Sequence, residues 1–193
     1  MPCSTLADEI LEPGEGQVRA LIVSGGNPVV AFPDHELTIS ALKDLDLLVV
    51  LDHRMTATSE LADFVFAPRL ALERADVPHL MDRWFAAPYT NYTDAVVEAD
   101  PELIAEWEFF WELACRMNTP IELSGGEIPL DHKPTDGEVI DLVYSSSRMP
   151  IEQIRENRGV VHTGKEYVVQ PADPDCVSKF NLMPDGIEVE IDE

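Results

Sequence analysis

Three short apolar runs dominate the first seventy residues, and each run ends at polar or turn-forming residues. The runs are Val18–Val23, Leu47–Leu51 and Phe64–Ala67. They are continuously apolar rather than alternating, which is typical of strands covered on both faces by helices. Because the polar residues all follow the carboxyl ends of the runs, the pattern predicts a parallel sheet with a ligand-binding edge there.

Helical patterns lie before and between these runs. We predict a lead-in helix at Leu6–Leu11, a helix after Pro33 that Asp34 caps, and a short helix at Thr56–Leu61. This order of elements is typical of a parallel sheet with crossover helices. The predicted fold class is therefore α/β: a Rossmann-like three-layer domain with a mostly parallel sheet, plus an irregular C-terminal extension.

The clearest helical pattern of the chain covers Pro101–Met117. Asp100 is a candidate cap, and proline suits the first helical position. We expect Glu112 and Arg116 to pair on the exposed side. The apolar stripe that we expect to face the core consists of Leu103, Trp107, Phe110, Trp111, Ala114 and Met117.

The rest of the chain has weaker patterns. The segment Arg69–Val97 indicates a long loop with short strands, and loops of this length often carry function. We divide the chain into an α/β domain, residues 1–118, and an extension, residues 119–193, that packs on it or leads to a further domain. The elements predicted in the extension are a strand at Ile121–Leu123, helices at Gly137–Ser145 and Pro150–Asn157, a hairpin in Val160–Gln170 and a strand at Ile187–Glu193.

Composition excludes several classes of function. The chain has 193 residues, 45% of them hydrophobic, and a formal net charge of -24. It is therefore globular, and the charge argues against a nucleic-acid groove or an anionic membrane as partner. A phosphate ligand stays open, because backbone N–H groups bind phosphate with little help from basic side chains. The excess of acid indicates solubility or, alternatively, a basic partner.

The sequence also bears on compartment. No apolar run approaches the roughly 20 residues that span a bilayer, and the first residues lack the pattern of a signal peptide. We expect a soluble cytoplasmic protein, with periplasmic export of a longer parent protein as the alternative.

Cysteine and histidine do not predict a metal site. Cys3, Cys115 and Cys176 lie far apart, none belongs to a CxxC motif, and their odd number argues against a disulfide framework. Cys115 is predicted to lie in the core. The five histidines are scattered and form no HExxH motif.

The strand ends together suggest a nucleotide-binding edge. The turn Gly25-Gly26-Asn27 offers backbone N–H groups and an amide, and Asp52 stands where an acid accepts hydrogen bonds from ribose hydroxyls. Thr56 and Thr58 offer hydroxyl groups to a phosphate. Each residue alone also fits an ordinary turn or helix cap, and the GxGxxG motif is absent.

Three segments taken in order resemble the molybdopterin oxidoreductases of the dimethyl sulfoxide reductase and formate dehydrogenase type. They are Ala20–Pro28 (ALIVSGGNP), Leu45–Ala67 (LDLLVVLDHRMTATSELADFVFA) and Pro68–Glu73 (PRLALE). In that family a GNP turn follows one strand, and a D-x-x-x-T-x-T … AD-x-x-LP … E stretch follows another. The similarity is strong over about residues 5–75 and weaker in Trp107–Met117 and Leu182–Pro184.

The resemblance implies one α/β domain of a much larger catalytic subunit, which helps bind one of two molybdopterin guanine dinucleotides. Other domains would hold most of the cofactor, with its molybdenum or tungsten. They would also carry the metal-ligating and iron–sulfur residues, so no catalytic or metal-ligating residue is predicted here. The implied partners are those domains and an electron-transfer subunit. The cofactor-binding residues predicted by resemblance and position are Gly25, Gly26, Asn27, Pro28, Asp52, Arg54, Thr56 and Thr58.

One departure from the family pattern limits this prediction. After Glu73, many relatives carry a Gly-Thr and Asn-rich stretch near the cofactor, whereas this chain has Arg74–Pro78 (RADVP). Some relatives, such as a large subunit of respiratory complex I, keep the fold without molybdenum. Two alternatives therefore stay open: a stand-alone Rossmann-like module for NAD or FAD, and a structural or interaction domain that has lost its ligand. We expect no catalysis from the 193 residues alone.

Overall fold

A three-stranded parallel sheet forms the centre of the fold. The computed structural model describes residues 3–78, 89–145, 150–157, 161–162 and 175. The strand order is β1-β2-β3, so strands consecutive in sequence are neighbours in the sheet. The strands are β1 (Ala20–Ser24), β2 (Leu47–Leu51) and β3 (Phe64–Phe66). The predicted α/β class and the parallel pairing of the three apolar runs are confirmed.

Six α-helices and four shorter strands are assigned among the described residues. The helices are α1 (Leu6–Leu11), α2 (Pro28–Ala31), α3 (His35–Asp44), α4 (Glu106–Met117), α5 (Asp136–Tyr144) and α6 (Ile151–Glu156). The strands form two antiparallel pairs. The first pair is β4 (Tyr89–Thr90) with β7 (Val161–His162), and the second is β5 (Glu122–Leu123) with β6 (Gly126–Glu127).

Helices α2 and α3 cover one face of the sheet. Their apolar side chains pack on those of β1 and β2 and form a buried core. The predicted cap of α3 is confirmed, because the Leu37 N–H donates to a carboxylate oxygen of Asp34 at 3.1 Å. Helix α1 packs against α3 through a second apolar cluster. The buried residues of the first core are Val23, Val29, Leu42, Leu48 and Val50.

The opposite face of the sheet is only partly covered, which corrects the expectation of strands buried on both faces. Strand β2 is buried from Leu48 to Leu51, but Ile22 in β1 is 38% exposed and Phe64 in β3 is 58% exposed. Both strands lie at edges of the described sheet, where fewer neighbours are available. Helix α4 reaches this face at Phe66, whose ring centroid lies 5.1 Å from that of Phe109.

Helix α4 begins later than the sequence predicts. Its first residue is Glu106 rather than Pro101, and Asp100 caps only a turn, by accepting the N–H of Glu102 at 2.9 Å. The reason is a competing tertiary contact: the backbone of Ile104 pairs with the chain around Pro68 as an isolated parallel bridge. That pairing holds Ile104 extended, so the helix cannot start before it.

The buried side of α4 also differs from the predicted stripe. Trp111 and Ala114 are buried as expected, but Phe110 is 38% exposed and Met117 is 64% exposed. Glu108 is instead buried, at 7% exposure, because it pairs with two basic side chains described below. The predicted pair of Glu112 and Arg116 is confirmed on the exposed side, at 3.2 Å.

The shorter predictions have mixed outcomes. The predicted helix at Thr56–Leu61 is a turn followed by a 3₁₀ helix at Ser59–Leu61. The helices α5 and α6 are confirmed, with Ile151 and Ile154 buried as expected. The predicted strand near Ile121 is the first half of a short hairpin. Most of the predicted hairpin at Val160–Gln170, and the predicted strand at Ile187–Glu193, lie outside the described residues.

Several described residues after position 118 contact the part of the chain before it. The indole N–H of Trp111 donates to the carbonyl oxygen of Pro129 at 2.8 Å, and Lys133 pairs with Glu108 at 2.6 Å. A third apolar cluster joins Val77 to residues of α5 and α6. The division at residue 118 stays a prediction.

Because the two faces of the sheet are not equally buried, we expect truncation of two neighbouring leucines of β2 to destabilise the fold by different amounts. Leu48 is 1% exposed in the first core, whereas Leu47 on the other face is 37% exposed. We expect Leu48→Ala to lower the free energy of unfolding by about 2–5 kcal/mol. We expect Leu47→Ala, the matched control, to lower it by about 1 kcal/mol. Urea denaturation of the two variants measures both values, and equal losses would mean that both faces are equally covered.

Candidate functional site

The carboxyl ends of the three strands form one continuous edge. The backbone ladder extends one residue beyond two of them: the Gly25 N–H donates to the Leu51 carbonyl at 2.9 Å, and the Asp52 N–H donates to the Phe66 carbonyl at 3.1 Å. Gly25 has a φ of +61°, a conformation that side chains with a Cβ rarely adopt. Glycine therefore allows the chain to leave β1 while staying hydrogen-bonded to β2.

A cavity of about 610 Å³ opens at this edge. Gly25 and His53 line it at the strand exits, and the loop of residues 68–74 lines its other side, together with Val97 and Glu106. Its volume falls within the roughly 300–1,000 Å³ that ligand pockets occupy. A Cβ built on Gly25 would meet no atom within 4 Å, so the space over this backbone is open. The edge therefore has room for a ligand close to the main chain.

Two predicted site residues, Asn27 and Thr58, bind each other. The Thr58 hydroxyl donates to the Asn27 amide oxygen at 2.7 Å and accepts the Val29 N–H at 3.1 Å. The Thr58 N–H also lies 3.3 Å from the same amide oxygen. Thr58 is completely buried, so its hydroxyl is not offered to a phosphate as the sequence suggests. Instead, Thr58 fixes the turn after β1 against the turn after β2.

The other predicted residues surround this contact. Asp52 accepts the Arg54 N–H at 3.0 Å through a carboxylate oxygen, and its side chain is only 10% exposed. The side chain of Arg54 is exposed, and the Thr56 hydroxyl lies 2.9 Å from that of Ser59. Of the eight predicted residues, Gly25 alone lines the large cavity. The remaining predicted residues are Gly26, which follows Gly25 and is half-buried, and Pro28, which is buried at the start of α2.

Arg69 and Arg74 also line the cavity, although neither is among the site residues predicted from the sequence. Arg74 donates to a carboxylate oxygen of Glu106 at 3.3 Å, and Arg69 lies 3.1 Å from a carboxylate oxygen of Glu108. The Nε of each arginine is buried without a hydrogen-bond partner. One sequence signal points to these arginines: both follow the third strand, in a chain with only 13 lysine and arginine residues. Arg74 begins the stretch that departs from the family pattern after Glu73, so the resemblance does not predict a ligand contact there.

Residues of α4 and α5 hold Arg69 in place. Asp136 accepts hydrogen bonds from Arg69 at 3.2 Å and from the indole N–H of Trp107 at 2.7 Å. Asp136 is the first residue of α5, whose start is fixed by reciprocal hydrogen bonds between Thr135 and Glu138. Thr135 donates its backbone N–H and hydroxyl to the carboxylate and so holds the pKa of Glu138 below its usual 4.5. The wall of the cavity thus depends on elements after residue 118.

The described residues contain neither a cluster of metal ligands nor a helix suited to cross a membrane. No group of three or more His, Cys, Asp or Glu side chains is arranged there to hold a metal ion. None of the helices in that part of the chain combines the length and apolar character that crossing a membrane requires.

Comparison with known proteins connects this architecture to a family. No family model matches the chain. The chain is 33% identical over 100 residues, 52% of its length, to an acetylene hydratase of Syntrophotalea acetylenica. It is 32% identical over 185 residues, 95% of its length, to the F420-dependent formate dehydrogenase 1 subunit alpha of Methanococcus maripaludis.

A solved structure agrees with these sequence matches. The acetylene hydratase from Pelobacter acetylenicus matches 81% of the chain with a TM-score of 0.63 and 26% identity. These relatives are members of the molybdopterin oxidoreductase family, and the chain is homologous to one part of them. These matches confirm the resemblance that the turn after β1 and the segment after β2 indicate in the sequence.

The chain is short compared with its relatives. It spans 13% of the acetylene hydratase sequence, 25% of the formate dehydrogenase subunit and 20% of the matched acetylene hydratase structure. The similarity therefore concerns one part of those longer proteins.

The contact between Asn27 and Thr58 predicts a stability difference that depends on one hydroxyl group. Thr58→Val keeps the shape of the side chain but leaves the buried Val29 N–H without its partner. We expect it to lower the free energy of unfolding by about 1–3 kcal/mol, the usual cost of an unsatisfied buried polar group. Thr58→Ser keeps the hydroxyl and should cost less, about 1 kcal/mol for the lost methyl. Chemical denaturation compares the two, and a Thr58→Val protein as stable as the original would contradict this role.

Proposed function

We propose that this chain is the α/β part of a molybdopterin-dependent oxidoreductase and helps bind a molybdopterin guanine dinucleotide at its strand-exit edge. The observation that carries the proposal is the convergence of three parallel strand ends at one cavity, in a chain that is homologous to one part of this family's members. Ligands of parallel α/β sheets bind outside the carboxyl ends of the strands.

The residues at the edge fit one end of such a cofactor. The open space over Gly25 would give a ligand access to the backbone. Asp52 follows β2, where an acid would accept hydrogen bonds from ribose hydroxyls. Arg74 lines the cavity, and its guanidinium group would donate hydrogen bonds to an anionic group. This chain supplies binding and orientation, and the pterin-bound molybdenum or tungsten supplies the electron-transfer chemistry when the cofactor is present.

Other parts of a longer protein complete the proposed site. The sequence relatives are four or more times longer than their matched part, since that part is at most 25% of each. By family resemblance, those parts hold the rest of the cofactor and the residue that ligates the metal. The proposed partners are therefore further domains of a catalytic subunit and an electron-transfer subunit.

The cofactor proposal predicts binding of guanosine nucleotides. We expect calorimetric titration of the 193-residue chain to show tighter binding of GDP than of NAD or FAD. Asp52→Ala should weaken GDP binding about tenfold or more, because a hydrogen bond to a charged group contributes about 1.5–3 kcal/mol. Asp46→Ala is the matched control: Asp46 precedes the same strand at its other end and pairs there with Arg19.

Two results would favour the other interpretations. Binding of NAD or FAD without GDP would indicate a stand-alone Rossmann-like module. Absence of binding by every nucleotide, before and after Asp52→Ala, would indicate a structural or interaction domain that has lost its ligand.

The proposal also predicts that this chain alone is inactive. We expect the purified 193 residues to give no substrate-linked reduction of a redox dye, because by resemblance the metal-ligating residue lies elsewhere. The measurement uses formate as electron donor with a viologen dye, and a turnover above that of the heat-denatured chain would contradict the prediction.

A further inference from the structure

The carboxylate of Glu106 lies where an anionic ligand would meet the strand exits. One of its oxygens accepts the Ser24 hydroxyl at 3.1 Å, and the other accepts an Arg74 N–H at 3.3 Å. Ser24 is the last residue of β1, directly before the Gly25 turn. Both Glu106 and Arg74 line the cavity of about 610 Å³, so the ion pair between them forms part of the cavity surface.

The donors around Glu106 suit a phosphate group as well as a carboxylate. Phosphate and carboxylate oxygens accept the same charge-assisted hydrogen bonds from a guanidinium group. Arg74 contacts Asp76 at 3.9 Å and Glu106 at 3.3 Å, so displacement of Glu106 would free a guanidinium N–H of Arg74 for a phosphate. Its side chain is 32% exposed, so a ligand in the cavity can reach it.

The position of Glu106 at the start of α4 favours an anion there independently of Arg74. It is the first residue of a 12-residue helix, and the preceding Ala105 provides no side-chain cap. The partial positive charge of a helix N-terminus stabilises a negative group in its first turn. In the structure that group is the Glu106 carboxylate itself, and a phosphate would gain the same stabilisation.

We propose that the Ser24 hydroxyl and the Arg74 guanidinium form a phosphate subsite, which the Glu106 carboxylate fills when no phosphate is bound. The identity of the ligand, a nucleoside diphosphate group, rests on the proposed function. Glu106 is then a specificity-determining residue: a phosphate must displace it, and its negative charge opposes every anion that binds too weakly to do so. The subsite adds residues 24, 74 and 106 to those that sequence interpretation selected.

The test uses calorimetry with inorganic pyrophosphate, GDP and guanosine at one ionic strength. Glu106→Gln keeps the acceptor for Ser24 and removes the charge, and it frees Arg74 from its ion pair. We expect it to tighten pyrophosphate and GDP binding about tenfold, because removal of an adjacent like charge has an effect on the order of one decade. Arg74→Gln should weaken both ligands about tenfold, and neither change should affect guanosine.

The matched control is Glu112→Gln, which removes the same charge from the same helix. Glu112 pairs with Arg116 and does not line this cavity, so its removal tests the effect of net charge alone. Thermal melting of each variant verifies that it is folded. The subsite is overturned if Glu106→Gln binds pyrophosphate no more tightly than Glu112→Gln, or if Arg74→Gln leaves binding unchanged.

The ligand series separates this inference from the proposed function. If GDP binds and depends on Asp52, but not on Glu106 and Arg74, the phosphate subsite is wrong and the nucleotide proposal stands. If pyrophosphate responds to both variants and GDP binds no better than pyrophosphate, the subsite stands and the guanosine proposal fails. Failure of both ligands to bind the Glu106→Gln protein overturns the subsite.

Discussion

The parallel backbone ladder of β1, β2 and β3 is the constraint on which the strand-exit edge depends. It continues past the strands, from Gly25 to Leu51 and from Asp52 to Phe66, so the exits are tied together by main-chain hydrogen bonds. A shift of one strand by a residue would turn its side chains to the other face of the sheet. It would also break the hydrogen bond between Gly25 and Leu51.

Charge at this edge is balanced locally in a chain that is strongly acidic as a whole. The net charge is -24, yet Arg69 and Arg74 both line the cavity. Each is held by acids from α4, Glu108 and Glu106 respectively, so the basic groups keep their positions without a ligand. Preformed donors bind an anion at a lower entropic cost than mobile surface lysines would, because their side chains are already ordered.

The central sheet was predictable from sequence because its signals are local, whereas the site depended on contacts that no local pattern shows. The apolar runs and the cap at Asp34 identify strands and α3 directly. The predicted start of α4 was wrong because Ile104 pairs with a segment more than thirty residues earlier in the chain. Burial of Glu108 was missed because it requires Arg69 and Lys133, which are distant in sequence. Thr58 was predicted to contact a ligand because it is a polar residue that follows a strand. Its hydroxyl instead forms hydrogen bonds with Asn27 and Val29 in the turn after β1.

The most direct test of the central claim is nuclear magnetic resonance of the ¹⁵N-labelled chain during titration with GDP. If the strand exits form one binding edge, the backbone amide signals of Gly25, Gly26, His53 and Arg74 shift together and saturate at one GDP concentration. The amides of Ala20 and Leu47, at the opposite ends of β1 and β2, then stay unchanged. Shifts that cluster at those opposite ends, or saturate separately at each exit, would contradict the account.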